Sequence, residues 1–235
     1  YVRSPFPVEN RRILIGSDVS SRYTSRTPVE FEKIARYILK TGQAKQGNYM
    51  VFFPSYKMMQ QVYEVFWELN DDKMECIIQQ SGMKEAEREE FLGEFCRERG
   101  KTLIAFCVMG GIFGEGIDLK KEQLIGAIIV GTGIPQISNE REILMNYYDK
   151  RSGEGLDYAY RYPGMNKVLQ AAGRVIRTVE DIGVIELLDE RFMQSDYRKL
   201  FPKEWENRKS CSIDSVESYL EQFWKSKEMT GNELP

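Results

Sequence analysis

The 235-residue chain is 42% hydrophobic and 29% charged, the balance of a globular protein with room for a sizeable core. No apolar run approaches the ~20 residues that cross a bilayer, no signal-peptide pattern opens the chain, and a formal net charge of −3 gives no general attraction to nucleic acid. The absence of histidine excludes histidine-based triads and the common zinc sites, and Cys76, Cys96, Cys107 and Cys211 include no CxxC pair.

In chain order, Tyr1 in place of a methionine suggests a processed chain or a piece of a larger protein. Residues 1–26 carry Arg3, Arg11, Arg12, Arg22 and Arg26 against Glu9 and Asp18. That excess is either a solvated basic surface or a nucleic-acid contact. A short strand is possible in RILIGS (residues 12–17). Pro28 follows Thr27, the pattern of a capped helix start, and the helix is expected over 28–40. YMVFFP (49–54), ECIIQQ (75–80), TLIAFCV (102–108), IGAIIVG (125–131) and IGVIELLD (182–189) are nearly continuous in apolar character, as strands buried on both faces are. Between them, 55–69 places Met58, Val62, Val65, Phe66 and Leu69 on one helical face. Residues 84–98 do the same with Phe91, Leu92 and Phe95, with Ser81 a candidate cap. Cys76 and Cys107 fall in strand-like runs and read as buried thiols, which suits a reducing, intracellular location.

Strands alternating with helices predict an α/β domain, an open parallel sheet flanked by helices. The gap between Gly131 and Ile182 is too long for a simple crossover and is expected to hold a helical excursion over 132–181, including NEREILMNYYDK (139–150). A helical segment is expected within 203–235, from the stripe of Ile213, Val216, Leu220, Phe223 and Trp224. Tyr147, Tyr148, Tyr158, Tyr160 and Tyr162 would either stack on bases or pack internally.

Ligands of open parallel sheets meet the loops at the carboxyl ends of the strands. PSY (54–56), GGIFGEGID (110–118) and GTGIPQ (131–136) are three such loops. The stretch Gly111 to Gly116 approaches a nucleotide phosphate loop, but Ile117 and Asp118 stand where Lys and Ser or Thr are required. No other GxxxxGK[ST] occurs, so the chain lacks the parts to bind and hydrolyse ATP by itself. The glycines could still bring backbone N–H groups close to a singly charged phosphodiester; a strained strand-to-loop turn is the alternative. A second constellation is QAAGRVIR, in which Gln170, Gly173, Arg174 and Arg177 would share one face of a helix, with Val175 and Ile176 turned inward. Guanidinium forks match phosphate oxygens; salt bridges to Asp181, Glu180 or Glu115 would also satisfy them.

In order and nearly end to end, the sequence resembles the second RecA-like domain of the XPD/DinG-type superfamily 2 DNA helicases. SPF (4–6) is similar to the segment that opens that domain, VFFPSY (51–56) to motif IV, GGIFGEGIDL (110–119) to motif V, QAAGRVIR (170–177) to motif VI, and DIGVIELLDERF (181–192) to the segment after it. The Q-x-x-G-R-x-x-R pattern is widely shared in superfamily 2; the F-x-E-G-I-D form with LLDERF downstream is more selective.

The resemblance implies one RecA-like domain over 1–235, a fragment of an ATP-dependent DNA helicase of 5′-to-3′ polarity in repair or replication. ATP and Mg²⁺ would be held mainly by a preceding domain with Walker A and B segments, the chain's partner together with single-stranded DNA. An iron–sulfur cluster, where present in relatives, would not lie in this chain. Arg174 and Arg177 would act as arginine fingers and Gln170 would contact the γ-phosphate or the attacking water. Glu115, Gly116, Asp118 and Gly173 would couple the nucleotide to DNA. Ser55, Tyr56, Gly114 and Ser81 would touch the strand. A cytoplasmic location follows, nucleoid-associated in a bacterium, with no membrane partner. The competing reading is a non-catalytic RecA-like module that clamps DNA or protein; a metabolic enzyme on the same sheet would need a phosphate loop the sequence lacks.

Overall fold

The computed structural model describes residues 5–113, 119 and 123–231. Seven strands run parallel in the order β3-β4-β2-β5-β6-β1-β7. They are β1 (Arg11–Gly16), β2 (Asn48–Phe53), β3 (Glu75–Ile78), β4 (Leu103–Val108), β5 (Gly126–Val130), β6 (Gly183–Leu188) and β7 (Lys209–Cys211). RILIGS is a full member, β1, paired in parallel with β6 from Arg11↔Gly183 to Gly16↔Leu188. β7 was not legible in the sequence. Its three residues KSC are polar enough to pass for a loop, and it exists through pairing with β1.

The two-residue alternation of each strand feeds two cores. On one face Ile13, Ile15, Met50, Phe52, Ala105, Cys107, Ile129 and Leu187 meet α3 (Glu85–Gly93) and α5 (Tyr162–Ala172). On the other, Leu14, Val51, Phe53, Phe106, Ile128, Val184 and Leu188 meet α1 (Pro28–Ala44), α2 (Tyr56–Asn70) and α7 (Val216–Gly231). Thr27 caps α1, its side chain accepting from Glu30 N–H, with Pro28 at the first helical position. Two expected helices have other limits. The one expected over 28–40 runs on to Ala44. The helix expected over 84–98 stops at Gly93 and tightens into a 3₁₀ turn, Glu94–Cys96. Ser81 does not cap it: the Lys84 backbone N–H donates to Glu87 Oε2 at 2.7 Å, and the helix starts after Lys84.

The excursion between β5 and β6 holds α4 (Asn139–Ser152), a π turn (Asp157–Arg161) and α5. No residue of α4 is buried. The short α6 (Ser195–Arg198) follows β6. Among the described residues no helix is long and apolar enough to cross a membrane. Cys107 is fully buried, and burial pushes its thiol well above the ordinary range, as an inert core thiol requires.

Candidate functional site

Because every strand points the same way, the loops after β4, β2 and β5, three neighbours in the sheet, emerge at one edge. β2 leads through Pro54 to Ser55, the N-cap of α2, whose Oγ accepts from the Met58 N–H at 3.3 Å. Tyr56 follows, 38% exposed. Its hydroxyl oxygen accepts from Gln79 Nε2 at 2.9 Å, and Gln79 Oε1 accepts the Val108 N–H at 2.8 Å. Gln79 is 2% exposed and sits just beyond β3. One buried amide therefore joins the ends of three strands.

β4 runs out into a tight turn in which Gly111 N–H donates to Val108 O at 3.3 Å. Gly110 has φ +66°, the left-handed region that favours glycine. A Cβ at Gly111 would press on the Gln79 amide at 3.3 Å, and one at Gly110 would meet the Lys167 stem at 3.1 Å. Phe113, fully buried, stacks on Phe91 at 4.4 Å between ring centres and ties the turn to α3. Gly114, Glu115, Gly116 and Asp118 lie outside the described residues. Ser81 is exposed in the turn after β3, beside Gly82 with φ +76°.

At the same edge, beyond β6, Asp189 is fully buried and gathers a network. It accepts from Ser21 N–H (2.9 Å), Ser21 Oγ (2.6 Å), and Arg191 Nε (2.7 Å) and Nη2 (2.8 Å). Burial alone would raise its pKa, but the hydrogen bonds and charge of Arg191, with those of Ser21, hold the carboxyl below its ordinary range. A Cβ on Gly131 (φ +83°) would collide with Ser21, which keeps that loop glycine. An adjoining cavity of about 270 Å³ is lined by Arg22, Tyr160, Arg161, Arg191, Gln194 and Tyr197, among others. Its three guanidiniums are each committed: Arg22 to Glu190, Arg161 to Asp157 and Asp196, Arg191 to Asp189.

The second constellation lies at the opposite edge. α5 starts against the Thr132–Gly133 backbone and ends at Ala172, with Gly173 as its C-cap donating to Leu169 O at 2.9 Å. The single helical face expected for Gln170, Gly173, Arg174 and Arg177 does not form. Gln170 and Gly173 are exposed at the helix end, while Arg174 and Arg177 stand, partly exposed, on the turn that follows. Two causes compete successfully with the helix. Val175 and Ile176, 2% and 6% exposed, are drawn into the core. The buried Asp181 carboxylate accepts the backbone N–H of Arg177 (2.7 Å) and of Thr178 (2.6 Å). Asp181, weighed in the sequence as a salt-bridge partner, also anchors main chain. The turn is also stitched to the residue just before β1: Asn10 Nδ2 donates to Val179 O at 3.0 Å.

The excursion's tyrosines are mostly occupied with one another. Tyr148 stacks on Tyr158 at 4.0 Å, and Tyr147 and Tyr162 meet that pair edge-on. Of these, Tyr147 keeps the largest free face, at 53%.

A family model described as the helicase C-terminal domain matches residues 38–208. The ATP-dependent DNA helicase XPD of Sulfolobus acidocaldarius is 29% identical over 194 residues, 79% of this chain and 32% of that protein. The human regulator of telomere elongation helicase 1 is 28% identical over 207 residues, 80% of this chain and 17% of that protein. The chain thus spans about a third or less of the length of these relatives. A solved XPD helicase structure superposes with a TM-score of 0.69 at 24% identity, covering 86% of this chain and 35% of that one, a likeness of fold. The chain belongs to the helicase C-terminal domain family, with the α/β RecA-like fold that solved XPD helicases also have.

Proposed function

We propose that the chain is the second motor domain of an ATP-dependent DNA helicase, supplying arginine fingers to a nucleotide gripped by a preceding domain and contacts to single-stranded DNA. The observation that carries this is the Asp181-anchored turn, which holds Arg174 and Arg177 off the helix, beside exposed Gln170, at the edge opposite the glycine turn. The name of the Sulfolobus relative supports the reaction class.

Arg177 and Arg174 stabilise charge that develops on the transferring phosphoryl group, and Gln170 orients the γ-phosphate or the attacking water. ATP and Mg²⁺ would be held mainly by the preceding domain. At the other edge Ser55, Tyr56, Ser81 and the Gly110–Gly111 turn hold the strand by its backbone; the expected contact from Gly114 falls outside the described residues. Phosphate contacts of this type give little sequence preference and a strong salt dependence. Nucleotide between the domains draws them together, hydrolysis releases them, and the family's 5′-to-3′ direction follows from which domain releases the strand first.

The isolated chain is expected to show negligible ATPase. In the full-length protein Arg177→Ala should lower DNA-stimulated turnover by roughly 10³–10⁵-fold, with ATP affinity much less affected. Full turnover by that variant, in a steady-state ATPase assay, would remove the finger assignment.

A further inference from the structure

Gln79 belongs to none of the motifs identified in the sequence, yet its amide is fixed at both ends. Its Oε1 takes the Val108 N–H at 2.8 Å, and because a backbone N–H only donates, the oxygen must face Val108. The NH₂ group is then forced toward Tyr56 Oη at 2.9 Å. A phenol offers one hydrogen and two lone pairs. With a lone pair taken by Gln79, the Tyr56 hydrogen is left for another acceptor at the exposed edge. Gly111 admits no side chain without pressing on this amide, so the arrangement is locked from the turn side as well.

We infer that Gln79 is a positioning residue that sets the polarity of the Tyr56 hydroxyl, turning it into a hydrogen-bond donor toward a phosphate oxygen of single-stranded DNA. The inference rests on the proposed DNA contact at this edge. Glutamate at position 79 tests it. It keeps the shape and still accepts from Val108 N–H, but its second oxygen takes the Tyr56 hydrogen and leaves only lone pairs facing the phosphate.

The experiment measures equilibrium binding of a fluorescent oligothymidylate to the full-length protein carrying Gln79→Glu, Tyr56→Phe or both, at fixed salt. Each single change should weaken binding by about tenfold, the scale of one hydrogen bond to a charged group. The double variant should bind no worse than Tyr56→Phe. A loss from Gln79→Glu that persists undiminished in the Tyr56→Phe background would mean general disruption and overturn the inference. Gln79→Glu binding like wild type would also overturn it. If the unaltered protein fails to bind single-stranded DNA, the functional reading itself fails, an outcome distinct from the other two.

Discussion

Glu186 is the residue whose surroundings contradict its chemistry. It sits 1% exposed in β6, a central strand, under α1. Thr41 Oγ1 lies 2.8 Å from Tyr37 O and 2.7 Å from Glu186 Oε1. A hydroxyl has one hydrogen, so Thr41 shares it between the Tyr37 carbonyl and the Glu186 carboxyl and can only partly satisfy a buried carboxylate. Burial, partly opposed by the Thr41 hydrogen bond, pushes the Glu186 pKa up to about 8. Tyr49, Tyr37 and Cys211, nearby on the same core, are also driven up by burial. A folded pKa above the unfolded value gives a contribution fully present below the ordinary glutamate range and lost as pH rises toward 8. Thermal melts between pH 5.5 and 8 should therefore fall. Glu186→Gln, which cannot ionise, should flatten that fall, its advantage over wild type growing with pH. Parallel pH profiles for the two proteins would show that Glu186 is already ionised in the fold. Periodicity located β6 correctly but, reading one strand at a time, had no means of showing what Thr41 would contribute from another element.

At the scale of elements, the strands and the amphipathic helices were readable because continuous apolar runs and stripes such as Met58, Val62 and Phe66 report burial directly. Ends were readable only where a cap was explicit, as at Thr27. Motif VI was misjudged as one helix because its spacing fits a helical face, whereas its termination depends on Asp181, four residues past Arg177 and satisfied only in three dimensions. Gln79 gave no local signal, since its role arises from β4 and α2 converging on it. Helix position carries its own test. α5 docks so closely that a Cβ on Gly164 would lie 2.6 Å from Thr132 O and 3.0 Å from Ile134 N, both unyielding backbone. Gly164→Ala should cost about 1–3 kcal/mol in denaturant melts. Gly93, in α3 with nothing within 4 Å of its added Cβ, provides the contrast: Gly93→Ala should stabilise by about 0.5–1 kcal/mol. Equal effects at the two sites would refute the close docking.

For the whole molecule, the parallel sheet places Tyr56 and the Gly110 turn at one edge and Arg177 at the other, separated by a strand length of roughly 17–20 Å. The proposed roles should therefore dissociate. In the full-length protein without nucleotide, Arg177→Ala should leave oligonucleotide affinity within about twofold of wild type, since sites this far apart act independently. Tyr56→Phe should weaken it while leaving turnover at saturating DNA nearly intact. Equal loss of both properties from either change would mean that the edges do not divide the work. The order of the motifs along the chain was visible in the sequence; their separation to opposite ends of the strands depends on which way α5 runs, and that is settled by packing. The Asp181 staple has a thermodynamic corollary. With the main chain of Arg177 and Thr178 already fixed by two short bonds, engagement of a ligand is spared the entropy of ordering this loop, about 1–2 kcal/mol per residue.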